Sequence, residues 1–442
     1  MHMSRPHATL GAVMAGGKRG DLRSKRRLLA GMGVVVGCAA AACGGPSNSS
    51  PHSYSATFAW GANDYGQLGD RMPSGSESCG GVPCSAHVVR VAGLSKVVRV
   101  AAGPDHNLAL LSNGTVMAWG ENAYGELGNG SSSGPSNCSG LLACSPTPVA
   151  VGGLSGVQAV AAGQFFSLAL LRDGTVRTWG LNDYGQLGDG RSGGPTACGR
   201  GAPCSVHPVK VEGLKDVTAI AAGYGQGVAL LRNGTVETWG LNSYGQLGNA
   251  SSVNSAVPTL VKGLSSVRRI AAGSDFDLAL KSDGEVMAWG DNSYGQLGNG
   301  TTQESSVPVR VVGLGRVTSV IASVSHSLAI TESGEVSSWG ENTYGELGVL
   351  PVPTRGCGSG LPCQTVPTTV SSLRHVTQIA AGSYFSVCLL SDGRVEVWGL
   401  GDKGQLANKT LSSSSLPRMV QDVRGVVAIA ASGDHALVSV GP

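Results

Sequence analysis

From Val97 to Val440 the chain is a succession of short apolar runs punctuated by glycine, asparagine and aspartate. The first complete unit reads Val100-Ala101-Ala102-Gly103, a variable stretch, Leu108-Ala109-Leu110-Leu111, then Ser112-Asn113-Gly114 and Val116-Met117-Ala118-Trp119. Runs of this length are strands, and because they are nearly continuous rather than alternating, both faces of each strand are covered. Asn-Gly or Asp-Gly recurs at Asn113, Asp173, Asn233, Asp283 and Asp392 between two such runs. The pattern predicts tight hairpins of type I′, with positive φ at both central residues. Amphipathic runs of helical period are missing from the sequence, which argues against an α-solenoid.

The unit repeats. Variants of Ala-Ala-Gly start at Ala101, Ala161, Ala221, Ala271, Ile321, Ala380 and Ala430. Every tryptophan in the chain, at Trp60, Trp119, Trp179, Trp239, Trp289, Trp339 and Trp398, opens a second phrase, first written Trp60-Gly61-Ala62-Asn63-Asp64-Tyr65-Gly66-Gln67-Leu68-Gly69. The steps between tryptophans are 59, 60, 60, 50, 50 and 59 residues, the mark of a repeat array. Within the phrase Gly61 avoids a Cβ that would crowd neighbouring backbone, and Asn63 closes an Asx-type turn. Gly66 and Gly69 supply positive φ around Leu68, the residue of the turn that points inward. The last copy has Lys403 for tyrosine and Ala407 for glycine, as a terminal repeat with fewer neighbours would. A fourth run, such as Thr147-Pro148-Val149-Ala150-Val151, places proline where an outer edge strand tolerates it.

The first tryptophan precedes the first Ala-Ala-Gly, and the last Ala-Ala has no tryptophan after it. Strand Ala56 to Trp60 therefore lacks the inner partners that Ala430 to Val440 offers, and pairing the two removes an open edge. The expected fold is all-β: a seven-bladed β-propeller over residues 55–442 with four-stranded antiparallel blades, closed by pairing of its N- and C-terminal strands. The Ala-Ala-Gly strand lies innermost, where a closing ring has least room.

Together the two phrases resemble the repeat of the regulator of chromosome condensation family, over Ala56 to Val440. That resemblance implies the same seven-bladed ring. The family's namesake exchanges nucleotide on a small nuclear GTPase, but no long wedge-like insertion interrupts the blades here. A secreted bacterial propeller of similar build inhibits β-lactamases by covering them with the loops of one face; no contact residues can be matched to it.

Charge and cysteine then change the picture. Residues 1–27 carry Arg5, Lys18, Arg19, Arg23, Lys25, Arg26 and Arg27 against Asp21, and Leu28 to Ala42 is uncharged. A basic segment before a short apolar one is a signal peptide, too short to span a membrane comfortably. Translation from Met14 gives a more ordinary leader, and Arg26-Arg27 fits a twin-arginine signal loosely. Val35-Val36-Gly37-Cys38 resembles the lipobox of bacterial lipoproteins, so residues 1–37 are expected to be removed and Cys38 lipidated. Cys43 and plain cleavage after Ala42 are the alternatives. Residues 38–54 form a flexible Gly/Ser/Asn-rich tether. Residues 1–37 hold seven of the 31 basic and one of the 28 acidic residues, so without them the net charge turns from +3 to −3. No basic, aromatic-interleaved cluster remains for nucleic acid, so the namesake's chromatin role is not expected here.

Eight cysteines form close pairs, Cys79 with Cys84, Cys138 with Cys144, Cys198 with Cys204 and Cys357 with Cys363, found in the 59- and 60-residue repeats and missing from the 50-residue ones. Local disulfides suit an oxidising compartment; zinc is the rival, but each pair offers only half a ligand set. Cys388 aligns with Ala109 and Ala169 and reads as an inert core thiol.

The segments after Ala-Ala-Gly differ most between copies, and four of the five phenylalanines stand in them. Since all inner strands run one way, these turns ring one mouth of the channel. Their third position, His106, Phe166, Gln226, Phe276, His326, Phe385 and His435, is expected to pack or hydrogen-bond within its blade. Asp105, Phe165, Asp275, Tyr384 and Asp434 at the second position, with Tyr224, are the candidates for an exposed binding face. The adjacent pairs Asp105-His106 and Asp434-His435 point opposite ways on a strand, and no nucleophile or second carboxylate recurs beside them, so catalysis is not expected. No metal or cofactor is expected either. The leading reading is an exported, envelope-anchored or secreted monomer that binds a macromolecular partner, a protein or a cell-envelope glycan, through one face. A glycan-binding or structural envelope module, an enzyme inhibitor and an enzyme are the rivals.

Overall fold

The computed structural model describes residues 53–441 apart from 74, 76, 139–141, 351–355 and 358–359. The expected signal peptide, Cys38, Cys43 and nearly all of the tether lie outside the described residues.

Seven antiparallel sheets form the ring. Blade 1 shows the plan, with an inner strand Val97–Ala102, then His106–Leu111 and Val116–Glu121, and an outer strand Leu142–Ala150. The inner strands of blades 2 to 6 are Val157–Ala162, Val217–Ala222, Val267–Ala272, Val317–Ala322 and Val376–Ala381. Each inner strand lies beside the next, and that of blade 7, Val426–Ser432, returns to Val97–Ala102. Small Ala101 and Ala102 are buried there, where larger side chains would not fit. Blade 7 is composite: Ala56–Ala62 pairs with His435–Val440, Trp60 opposite Ala436, and Val82–Arg90 is its fourth strand. The expected closure is thus present.

Blades 7, 1 and 2 have five strands rather than four. The extra strands, Glu77–Cys79, Ser136–Cys138 and Thr196–Ala197, belong to the long-repeat insertions and pair with the outer strands. All four cysteine pairs are disulfides, with Cα atoms 5.8 to 5.9 Å apart. In blades 7, 1 and 2 the clip holds its extra strand beside the outer strand. Cys388 is buried and unbonded, and burial pushes its thiol up, as a core thiol requires.

The hairpins depart from type I′. Gly114 has φ of 86°, but Asn113 is not left-handed. Leu111 N–H donates to Thr115 O and Gly114 N–H to Leu111 O, each at 2.9 Å, around a longer loop. Asn113 Oδ1 accepts the Thr115 N–H at 3.0 Å, so a side chain replaces what a second left-handed residue would have done.

Tryptophan joins the blades. Its indole N–H donates to the backbone carbonyl of the Gln or Glu in the preceding blade's turn: Trp119 to Gln67, Trp239 to Gln186 and, at the closure, Trp60 to Gln405, each at 2.9 Å. The turn's last glycine is the seat of that ring, since a Cβ on Gly69 would stand 2.9 Å from Trp119 Nε1. Asn63 spans the whole turn rather than a local Asx turn, accepting from Leu68 N–H and donating to Met72 O, both at 2.9 Å. The copy carrying Lys403 is not a frayed end, because closure gives it a neighbour on each side and Trp60 docks on it as on the others.

The third-position histidines bond to the next blade, while Gln226 bonds both ways, its Oε1 accepting the Gly225 N–H of its own blade at 3.3 Å. The Nε2 atoms of His106, His326 and His435 lie 2.8, 3.0 and 2.8 Å from Ser167 Oγ, Ser386 Oγ and Asn107 Oδ1. Burial pushes each imidazole down to about 3, so all three are neutral. Phe166 packs in an apolar cluster with Ala222 and Val228 of blade 3, and Phe385 with Ala431 and Ala436 of blade 7. Gln226 Nε2 donates to Gly273 O of blade 4 at 3.2 Å.

Candidate functional site

The third strand of a blade runs parallel to its inner strand, so the turn after the tryptophan and the turn after Ala-Ala-Gly open at the same mouth. The backbone ties them together. The carbonyl of every second-position residue accepts an N–H from the strand end beside it, as Glu121 N–H donates to Asp105 O and Leu181 N–H to Phe165 O, both at 2.8 Å. This closeness explains the Trp-Gly pair: a Cβ on Gly61 would fall 2.2 Å from Asp434 O.

On this fixed backbone a rule pairs neighbouring blades: the motif tyrosine of one stands over the second-position residue of the next. Tyr124 meets Phe165 and Tyr344 meets Tyr384 edge to face, ring centroids 5.2 Å apart. Tyr184 stands over Gly225, where a Cβ would lie 3.2 Å from Tyr184 Cδ2. Lys403, at the tyrosine's place, donates to Asp434 Oδ2 at 2.7 Å. Asp275 Oδ1 accepts from Gln246 Nε2 and its Oδ2 from Ser274 Oγ, both at 3.1 Å.

All six sequence candidates, Asp105, Phe165, Tyr224, Asp275, Tyr384 and Asp434, stand at this mouth, but they are half-buried rather than exposed. The tyrosines lean over them, and Tyr344, 42% exposed, reaches furthest into solvent. Tyr65, Tyr124, Tyr184, Tyr244, Tyr294 and Tyr344 are functional candidates that the sequence reading did not single out. The signal was available, since Leu68 takes the inward place of the turn and leaves the tyrosine outside.

The mouth is acidic and poorly solvated. Burial, then the charges of Asp434 and Asp64, pushes Asp105 up to about 7, opposed by Lys403. Burial raises Asp434 as well, again against the pull of Lys403. In two turns the glutamine is a glutamate, Glu126 and Glu346, each pushed up to about 8 chiefly by burial. Glu121 lies well above the carboxylate range through burial and the charges of Glu126 and Asp105. Burial also raises Tyr224, to about 12. Three of the four clipped insertions belong to the contiguous blades 7, 1 and 2 and the fourth to blade 5, and Gly199 N–H donates to Ala123 O across a blade boundary at 2.9 Å. The opposite mouth holds a cavity of 390 Å³ lined by Arg269, Thr318, Glu332, Gln378 and Ile429.

These features define a closed propeller whose repeats place aromatic side chains at one mouth. Residues 194–438 match the family model of the RCC1-like domain, and residues 56–110, 113–170, 97–126 and 157–186 match the regulator of chromosome condensation (RCC1) repeat, so the chain belongs to the RCC1-like family. Human E3 ubiquitin-protein ligase HERC2 is 33% identical over 48% of this chain and 4% of its own length. The protein RCC2 homolog of Danio rerio is 31% identical over 46% of this chain and 41% of its own. The chain thus matches less than half the length of these relatives. Yeast RCC1 (Prp20), solved with Kap60, superposes with a TM-score of 0.74 at 22% identity, covering 90% of this chain and 95% of that one. Human WBSCR16 gives 0.70 at 23%, covering 87% and 98%. At such identity these solved structures speak for the fold alone.

Proposed function

We propose that the chain is a non-enzymatic, exported and lipid-anchored propeller that binds a protein partner through the tyrosine-bearing mouth. The observation that carries this is the concentration of aromatics there: six motif tyrosines with Phe165, Tyr224 and Tyr384 on one hydrogen-bonded backbone frame. Rigid aromatics supply contact area at little conformational cost. Prp20 is described with Kap60, and with its binding to Gsp1p and histones, which supports a protein as the partner class. Export rests on the leader-like residues 1–37 together with the four disulfides, which persist in oxidising compartments. Cys38→Ser should move the protein from the membrane to the soluble fraction; a variant that stays lipidated removes Cys38 as the anchor.

The test of binding is a pull-down from cell-envelope extract with the wild-type protein beside Phe165, Tyr224 and Tyr384 all changed to alanine. A protein band lost with the variant supports the reading. Capture of a glycan fraction, turnover of a component of the extract, or equal capture by the variant would overturn it.

A further inference from the structure

Resting on the binding role of this mouth, we infer that its arc over blades 7 and 1 receives a lysine or arginine side chain of the partner. Where six turns have tyrosine this arc has Lys403, whose ammonium bonds Asp434 at 2.7 Å within the field of Asp64 and Asp105. With Asp402 in the same field, four carboxyl groups share one ammonium. Beside them in blade 1, Glu121 is 4% exposed and its Oε2 atom has no hydrogen-bond partner, while its charge acts on Asp105's neighbour Tyr65. A buried carboxyl oxygen left without a donor is costly, and an incoming N–H donor relieves it.

An organic cation suits this arc better than a metal ion. The carboxyl oxygens do not converge: among the described residues the group close enough to hold an ion is Glu77 with Cys79 and Cys84, whose sulfurs are bonded to each other. Tyr65 and Tyr124 stand among the acids, Tyr124 also within the field of this chain's own Arg200, and aromatic rings attract an ammonium or guanidinium group. A basic segment is drawn to this acidic arc.

The test titrates the intact protein into fluorescein-labelled octa-arginine and octa-lysine peptides, with an octa-glutamate peptide as control and calcium chloride alone as competitor. The basic peptides should bind, and Asp105→Asn combined with Glu121→Gln should weaken them about tenfold or more. Glu332→Gln at the opposite mouth should leave binding unchanged. Affinity should rise from about pH 6 to about pH 8 as Asp105 gains charge, facing Asp64, Asp434, Lys403, Tyr65, Glu121 and Glu126, the last of which gains charge over the same range, while the buried His106 and His435 stay neutral. An unchanged melting temperature in the Asp105/Glu121 variant shows that folding is not the cause. Equal binding by that variant, binding of octa-glutamate, or displacement by calcium at matched ionic strength overturns the inference. If that variant keeps octa-arginine while the aromatic triple variant loses the partner, the cation site falls and the binding mouth stands. Should the triple variant keep the partner, the mouth itself falls.

Discussion

Trp239 and Phe165 are aromatic residues with opposite duties. Trp239 is fully buried and donates to the preceding blade's turn, so Trp239→Ala should destabilise the ring by roughly 3 to 5 kcal/mol in denaturant melts. Phe165 is half-buried against Tyr124, and Phe165→Ala should cost about 0.5 to 1.5 kcal/mol, the worth of an edge-to-face pair, rather than nothing. Titratable residues add a pH signature. Glu126 and Glu346, pushed up to about 8, hold protons in the fold that the unfolded chain has released above about 4.3, so their stabilisation is lost as pH rises through 8. His106, His326 and His435, pushed down to about 3, act oppositely, adding stability until about pH 6.5. Above that only the carboxyl trend remains. The melting temperature should therefore fall between about pH 6.5 and about pH 8.5. Glu126→Gln with Glu346→Gln should flatten the fall and stabilise the protein at the upper end by on the order of 1 kcal/mol. A melting temperature that climbs across this window contradicts the assignment.

At the scale of elements, strands and turns were legible because their signals are local. Apolar runs, glycines at positive φ and the inward Leu68 need only their own repeat to be read. What failed was what a neighbour decides. The Asn113 turn takes a looser form because its side chain caps Thr115, and His106 bonds across to Ser167 because the next blade's strand supplies the hydroxyl. The disulfides were read from spacing, but the extra strands they pin were not, since a three-residue strand such as Ser136–Cys138 carries no pattern of its own. These clips hold insertions, not the ring. Cys138→Ser with Cys144→Ser should cost about 2 kcal/mol or less, as expected for so short a loop, yet make residues 130–145 a cleavage site in limited proteolysis. A variant that unfolds outright would place the clip in the core of the fold.

At the scale of the molecule, the count of phrases was enough to foresee closure, because a tryptophan without inner strands and inner strands without a tryptophan must find each other. The mouth was less legible: its location followed from topology, but the lean of each tyrosine over the next blade exists only in the closed ring. Closure itself predicts that deleting 426–442 exposes the edge of Ala56–Ala62 and yields aggregation or rapid proteolysis. Unchanged melting after that deletion would refute it. The central claim, that the tyrosine-bearing mouth is the binding face, is tested most directly by measuring partner affinity and thermal stability together for the Phe165, Tyr224 and Tyr384 triple alanine variant. Affinity should fall by roughly 2 kcal/mol or more per hot-spot residue while the protein stays folded. Full affinity in a folded variant would contradict the claim and move the search to the clipped insertions or the opposite mouth.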